Sequence, residues 1–277
     1  MSENTPFILK ANGQREAFDA NKLEQSLLRS KASPEIAADV IDHVRKEITD
    51  GMTTAQIYKH AFFLLHKLEK PAARAYSLRK GVASLGPSGF PFEKFVAEIF
   101  KNLGYETETD QMVTGGCVMH EVDVVAWNDS KLIMSEAKFH NQVGLKSDLK
   151  IALYVKARFD DLVEATHMYG GKRRKLDEFW LITNTKFTTT AIEYGMCKGL
   201  KMVGWNYPVK GNLQDLIEDG DLMPITCLND IEGSDLKLLL ENGLVLCKQV
   251  RGNISTLTDL GIHKDRAQKI IDEIGAM

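Results

Sequence analysis

Two prolines and two glycines fall within the eight residues Leu85–Phe92 and divide the chain into regions with different hydrophobic patterns. A helix cannot continue through this composition, because proline removes a backbone donor and glycine favours turns. Before this segment apolar residues recur at helical spacing, and after it strand-like and helix-like runs alternate. The pattern predicts an N-terminal domain over residues 1–85, a central domain over 86–210 and a C-terminal segment over 211–277.

The N-terminal domain is predicted to be a short hairpin followed by about four helices. Asn12-Gly13 lies between two strand-like runs and is typical of a hairpin turn. Pro34 suits the first turn of one helix, and Thr53 with Gln56 has the spacing of a capping box at the start of the next. The fourth helix is predicted to begin near Pro71.

Strands and helices alternate in the central domain, which predicts an α/β fold (α+β overall) with a mixed sheet flanked by helices. The C-terminal segment reads as a small helical tail. The basic run GGKRRK is predicted to be a loop. The predicted strands cover residues 121–127, 131–139, 179–184 and 201–205, and the predicted helices cover 92–103, 153–166 and 189–199.

Composition excludes several classes of protein. With 44% hydrophobic residues and a net charge of −3 the chain is not disordered, and no apolar run approaches the ~18 residues of a membrane span. Its start lacks the pattern of a signal peptide, which predicts a cytoplasmic location. The four cysteines have no paired spacing, which argues against a disulfide framework or a zinc site.

Charge is distributed unevenly along the chain. Residues 1–85 carry +3, residues 86–210 carry 0 and residues 211–277 carry −6. No region is basic enough to indicate nucleic-acid binding by its charge alone. A functional assignment must therefore rest on a site.

Asp123 and the run Glu136-Ala137-Lys138 form the sharpest chemical pattern. Residues two apart share one face of a strand, so Glu136 and Lys138 are predicted to project together. If Asp129-Ser130 is a two-residue turn, Asp123 pairs with Glu136, and two carboxylates that close favour a cation between them. Oxygen ligands favour Mg²⁺ or Mn²⁺, and with a nearby lysine this is the minimum equipment for phosphodiester hydrolysis. The alternative is a solvated sheet face with a surface ion pair, although charges within otherwise apolar strands are costly.

With the helix FEKFVAEIFKNLGY and the strands HEVDVVA and WLITN, residues 86–210 resemble the PD-(D/E)XK nuclease superfamily, in particular the type IV, Mrr-like restriction endonucleases. The resemblance implies that Asp123, Glu136 and the Ala137 carbonyl bind the metal and that Lys138 is the catalytic lysine. Such folds often add a glutamate from the preceding helix. Glu93 fits this role better than Glu98, which is predicted to lie on a solvated face.

The opening ILKANGQREAFDANKL, with GMTTAQI and AARAYSLRK, resembles an ATP-cone, a nucleotide-binding regulatory module. The match covers about residues 6–85 and implies that ATP or dATP binds as an effector. By this resemblance two lysines contact phosphates, four residues form the nucleoside end and one lysine closes the pocket: Lys10 and Lys22; Glu16, Phe18, Thr54 and Ile57; and Lys80. Alternatively, these residues are surface lysines, a helix cap and bundle core.

The segment LTDLGIHKDRAQKIIDEI is similar to a degenerate helix-hairpin-helix, but its acidic character favours packing or oligomerisation over DNA contact. Together the patterns predict an ATP- or dATP-regulated, Mg-dependent endonuclease that cuts double-stranded DNA, acts in defence against foreign DNA and works as a homo-oligomer. The alternatives are a nucleotide-sensing regulatory or DNA-binding protein with an inactive nuclease fold, and a nuclease that acts on RNA.

Overall fold

The computed structural model describes residues 6–10, 13–86, 88–141, 145–228, 231 and 233–276. They fall into two compact units, which divide between Lys80 and Gly81. No helix in these ranges is long and apolar enough to cross a bilayer. The three domains predicted above, over residues 1–85, 86–210 and 211–277, stay predictions.

The first unit is a hairpin followed by a helical bundle. Strands β1 (Phe7–Leu9) and β2 (Arg15–Ala17) pair antiparallel, as predicted, although Asn12 of the predicted turn lies outside the described residues. The helices are α1 (Ala20–Arg29), α2 (Pro34–Glu47), α3 (Thr54–Leu68) and α4 (Lys70–Ala83), the last three residues of which belong to the second unit.

Helix starts in the first unit follow the capping signals. Pro34 lies in the first turn of α2, and Thr53 and Gln56 form the predicted capping box at the start of α3. Buried aliphatic residues of α1, α2 and α3 pack together as the core of the bundle.

The second unit is built on a mixed five-stranded sheet of order β11-β9-β5-β4-β3. β3, β4 and β5 pair antiparallel, and β5, β9 and β11 pair parallel, as a mixed sheet requires. Its helices and strands up to the end of the sheet are α5 (Phe90–Asn102), β3 (Glu106–Thr114), β4 (Met119–Trp127), β5 (Leu132–Lys138), β6 (Lys146–Ser147), α6 (Leu149–Glu164), β7 (His167–Tyr169), β8 (Lys172–Arg174), β9 (Glu178–Thr183), β10 (Lys186–Phe187), α7 (Thr189–Lys198) and β11 (Lys201–Val203).

Helices cover both faces of this sheet. Phe179 and Leu181 of β9 pack in one cluster with buried residues of α6 and α7, whereas Trp180 between them meets Phe100 of α5 edge to face. Because neighbouring side chains of a strand point to opposite faces, α5 lies on one face and α6 and α7 lie on the other.

The described residues beyond the sheet form the predicted helical tail. It contains α8 (Leu213–Asp219), α9 (Gly233–Glu241), α10 (Ile254–Asp259) and α11 (Lys264–Ala276), with 3-10 turns at Ile225–Cys227 and Cys247–Gln249. Gly261 supplies the left-handed residue, at φ 91°, between α10 and α11.

Two elements differ from the sequence predictions. The GGKRRK run is not a loop: Lys172–Arg174 forms β8, which pairs with β7 around a turn made by Gly170 and Gly171, both with positive φ. β3 was not predicted, because it is an edge strand of alternating acidic and threonine residues with only Val113 buried. Hydrophobic alternation, the usual signal of a strand, is therefore absent from it.

Candidate functional site

The β4–β5 hairpin brings two carboxylates together at its open end. A backbone hydrogen bond of 3.0 Å closes the two-residue turn, as predicted. The strands are then paired residue by residue as far as Val124 and Ser135. Asp123 and Glu136 are the next residues along this register, so they lie beside each other just past the last pair.

Asp123 is held in a partly buried position against the neighbouring strand. Its Oδ2 accepts a hydrogen bond of 2.7 Å from the backbone N–H of Ala137. Burial, and then repulsion by Glu136, raise the pKa of Asp123 to about 7, against the weaker opposing effect of the Ala137 hydrogen bond. An ionised Asp123 is therefore unfavourable in this position unless a cation compensates it.

Glu93 approaches the same carboxylates from the first turn of α5. Burial raises its pKa, and the charges of Asp110, Glu121 and Glu136 raise it further. Glu98, one turn later, instead forms an ion pair of 2.6 Å with Lys101. The charge of Glu136 thus acts on Glu93, whereas Glu98 is paired with Lys101.

Arg158 is the site residue that the sequence reasoning missed. It lies on α6, only 8% exposed, and its Nη1 donates to Oε2 of Glu136. The sequence feature that could have identified Arg158 is its position on the buried face of an amphipathic helix, between Val155 and Leu162. Such a charge requires a partner, but the sequence does not say which.

Lys138 ends β5, two residues beyond Glu136. Among the described residues it makes no hydrogen bond or ion pair, so its ammonium group is available to a ligand. Its charge and the stronger effect of burial both lower the pKa of His140. His140 itself is held by a hydrogen bond of 2.9 Å between its Nε2 and Ser147 Oγ.

His120 has a structural partner rather than a place in the carboxylate group. Its Nε2 lies 2.6 Å from Oδ2 of Asp161 on α6, and Asp161 also accepts from the backbone N–H groups of Cys117 and Val118. These contacts lower the pKa of Asp161 to about 2. They fix the β3–β4 loop on α6.

The donor set fits a hard divalent cation. No three His, Cys, Asp or Glu side chains converge as a metal cage within the described ranges. Asp123 and Glu136, with the Ala137 carbonyl, still offer the oxygen ligands that Mg²⁺ or Mn²⁺ takes together with water. The raised pKa of Asp123 is the observation that favours a cation here, because a bound cation would relieve the repulsion.

In the first unit the predicted phosphate-binding lysines converge on one carboxylate. Glu16 lies 2.7 Å from Lys10 and 3.4 Å from Lys22, and its pKa is lowered, most strongly by Lys10. Because both ammonium groups meet at Glu16, a triphosphate that replaced this carboxylate as their partner would interact with both cations.

The other predicted nucleotide residues have different surroundings. Ile57 is buried in the helical core, and Phe18 packs against that core. Thr54 is the first residue of α3. The Lys80 ammonium lies 4.6 Å from the centroid of the Tyr58 ring. Glu16, which is also predicted for the nucleoside end, contacts the two lysines.

Family comparisons agree with this architecture. Residues 6–80 match the ATP cone domain, residues 86–204 match a restriction endonuclease domain of the Mrr type, and residues 223–277 match the AF1548-like C-terminal domain. The chain is therefore an ATP-cone domain followed by a restriction endonuclease domain, with a mixed α+β fold.

Two relatives, one known by its sequence and one by its crystal structure, show the family to which the chain belongs. An uncharacterized protein of Archaeoglobus fulgidus is 36% identical over 179 residues, which are 64% of this chain and 97% of that protein. The crystal structure of a protein of unknown function, AF1548, is 35% identical, has a TM-score of 0.58 and matches 68% of this chain and 97% of that one. The chain belongs to the AF1548-like family.

A weaker similarity is to the MspJI restriction endonuclease in complex with a 27-mer oligonucleotide. It is 13% identical with a TM-score of 0.32, and the match covers 87% of this chain and 48% of that one.

Proposed function

We propose that this chain is a divalent-metal-dependent DNA endonuclease, related to type IV restriction enzymes, whose activity is regulated by ATP or dATP. The observation that carries the proposal is the carboxylate pair Asp123 and Glu136, side by side where the pairing of β4 with β5 ends, with Lys138 on the strand of Glu136. The raised pKa of Asp123 and the match to a restriction endonuclease domain support it.

Each residue has a distinct role in this proposal. Asp123, Glu136 and the Ala137 carbonyl hold Mg²⁺ or Mn²⁺, which when bound supplies a Lewis acid and an activated water. Lys138 places its ammonium group beside the scissile phosphate, where negative charge develops during hydrolysis. Glu93 adds a further carboxylate to the group from α5.

The ATP-cone supplies regulation. Lys10 and Lys22 bind the phosphates of ATP or dATP, and Glu16, Phe18, Thr54 and Ile57 form the nucleoside end. Lys80 closes the pocket over Tyr58. No phosphate-binding loop of the GxxxxGK[ST] type is present in the sequence, so the nucleotide acts as an effector and is not hydrolysed.

Nucleotide occupancy is proposed to set the oligomeric state, and with it the cutting of double-stranded DNA. One nuclease site per chain hydrolyses one strand at a time, so cutting both strands together requires at least two copies. Unchanged mass in solution together with unchanged cutting across ATP and dATP titrations would contradict this regulation.

A plasmid assay tests the nuclease. Methylated and unmethylated plasmids are incubated with Mg²⁺ or Mn²⁺, with and without ATP or dATP, using the wild type, Lys138→Ala and Lys131→Ala. Lys131 is a matched control because it lies at the turn end of the same hairpin, paired with Glu178 at 2.6 Å. We expect metal-dependent nicking or linearisation that Lys138→Ala loses and Lys131→Ala retains.

One observation favours a second function, a nucleotide-sensing protein that does not cut DNA. Arg158 already neutralises Glu136, so this carboxylate has a partner without any metal. Absence of cutting under every condition, with nucleotide binding retained, would support this function. Cutting that persists in Lys138→Ala would show that the site is misassigned.

A further inference from the structure

Beyond the strand ends that carry Glu136 and Lys138, the fold continues into a small parallel sheet of β6 and β10. Lys146 pairs with Lys186, and Ser147 pairs with Phe187. Ser147 and Phe187 are both buried, so the two lysines share the opposite, outer face of this sheet. We refer to Lys146 and Lys186 as the lysine pair.

The lysine pair lies next to the candidate site. Ser147 Oγ, one residue from Lys146, is 3.2 Å from Oγ1 of Thr183. Thr183 in turn pairs with Lys138 in the β5–β9 register. The path from β6 to Lys138 is therefore short. It consists of the contact between two buried hydroxyl groups and one step of about 4.8 Å between neighbouring strands.

Charge makes this pairing unusual. Lys146 and Lys186 lie directly beside each other in this sheet, so an anion on the outer face of the sheet can interact with both cations. Segments 138–150 and 183–190 together contain four lysines and one aspartate, a charge of +3 in a region whose total is zero. The cations are concentrated beside the carboxylate group.

We infer that Lys146 and Lys186 bind the phosphate backbone of a DNA strand on one side of the bond that is cut. This inference rests on the proposed nuclease function. The carboxylates that hold the metal repel phosphates, and cations beside them would keep the strand in place while the scissile phosphate meets Lys138.

The basic hairpin of β7 and β8 is the competing surface. Arg174 Nη1 donates to the Asn128 carbonyl at 2.6 Å, which fixes the hairpin at the turn end of β4 and β5. Asp123 is four residues up β4 from Trp127, about 13 Å away. Arg173 and Lys175 in this hairpin are both exposed, so they provide a charge-matched control at the far end of the sheet.

The experiment compares Lys146→Gln/Lys186→Gln with Arg173→Gln/Lys175→Gln, each of which removes two positive charges. A fluorescent 30-base-pair duplex is cut under single-turnover conditions with Mg²⁺, and its half-saturating protein concentration is measured from low to high salt. Lys146→Arg tests whether charge alone suffices, and tryptophan fluorescence during urea unfolding confirms that each variant is folded.

We expect the lysine-pair variant to raise the half-saturating concentration roughly tenfold and leave the maximal rate within about twofold. The slope of log affinity against log salt should be shallower by about 2, one for each lost phosphate contact. The hairpin variant should match the wild type, and Lys146→Arg should retain binding.

Equal losses in the two double variants, or an unchanged salt slope in the lysine-pair variant, would overturn the inference. A wild type that cuts DNA through Lys138 while the lysine-pair variant binds normally would overturn this inference alone. A wild type that neither binds nor cuts DNA would overturn the nuclease proposal, and the inference with it.

Discussion

Replacing Asp123 with asparagine is expected to stabilise the second unit while removing its chemistry. Asparagine removes the charge that Glu136 repels, and its amide oxygen can still accept the hydrogen bond from the Ala137 N–H. The same side chain would lose its affinity for a divalent cation, since a neutral amide is a weaker ligand than a carboxylate. Stability and activity should therefore change in opposite directions.

The size of the effect follows from the pKa of Asp123, which rises from 3.8 to about 7 on folding. Because a difference of one in pKa corresponds to about 1.4 kcal/mol, ionised Asp123 costs the folded state up to about 4 kcal/mol. Between about pH 4 and pH 7 the folded state binds more protons than the unfolded state, so the free energy of unfolding falls as pH rises. In Asp123→Asn this fall in the free energy of unfolding with rising pH should be absent.

Urea unfolding without metal, at pH 5 and at pH 8, measures the effect. All three tryptophans, Trp127, Trp180 and Trp205, lie in the second unit, so their fluorescence reports its unfolding specifically. We expect Asp123→Asn to have a larger free energy of unfolding than the wild type at pH 8. This gain in stability should be about 2–3 kcal/mol larger at pH 8 than at pH 5. Asp259→Asn, at an exposed carboxylate on α10, is the control.

Two results would refute this reasoning. If Asp123→Asn were no more stable than Asp259→Asn at pH 8, burial and repulsion would not destabilise ionised Asp123. If the gain were the same at pH 5 and pH 8, it would not arise from ionisation.

Three further predictions concern the packing around the site. Arg158→Met leaves the half-buried Glu136 without its cation and should destabilise the second unit by about 3 kcal/mol. The double variant Arg158→Met/Glu136→Leu should recover most of the lost stability in the same urea assay. A single variant as stable as the wild type would contradict the prediction. Asp161→Asn should lower the melting temperature. Because the pKa of Asp161 in the folded protein is lowered to about 2, the contribution of Asp161 to stability should be lost as pH falls from about 4 to 2. The control Asp160→Asn, at the neighbouring residue of α6, should change the melting temperature little. Gly195→Ala places a Cβ 2.1 Å from Met202 Sδ and should destabilise the second unit by about 1–3 kcal/mol through overpacking. In the control Gly233→Ala the new Cβ meets no atom within 4 Å. Equal effects of the two substitutions would argue against overpacking.

Much of the candidate site could be predicted from local sequence rules. The two-residue turn and the period of a strand set the register, and this places Asp123 beside Glu136 without any knowledge of the rest of the fold. The helical period of α5 likewise predicts Glu93, and not Glu98, for the site. These are short-range rules, and they act on residues that are close together in the chain.

Arg158 and the lysine pair could not be found in this way. Arg158 follows Glu136 by 22 residues, and their contact exists only because α6 packs on the sheet face to which Glu136 points. Lys146 and Lys186 are 40 residues apart and meet through a two-residue parallel pairing that has no sequence pattern of its own.

By itself the sequence determined the helical bundle, the apolar strands, and the ligand types at Asp123, Glu136 and Lys138, because each depends on spacing along one segment. Only the tertiary structure decided which charges are compensated. It pairs Glu136 with Arg158 and Glu16 with two lysines, and it leaves Asp123 beside a like charge. The physical reason is that burial and Coulomb energies depend on distances between elements, which only the packed chain defines.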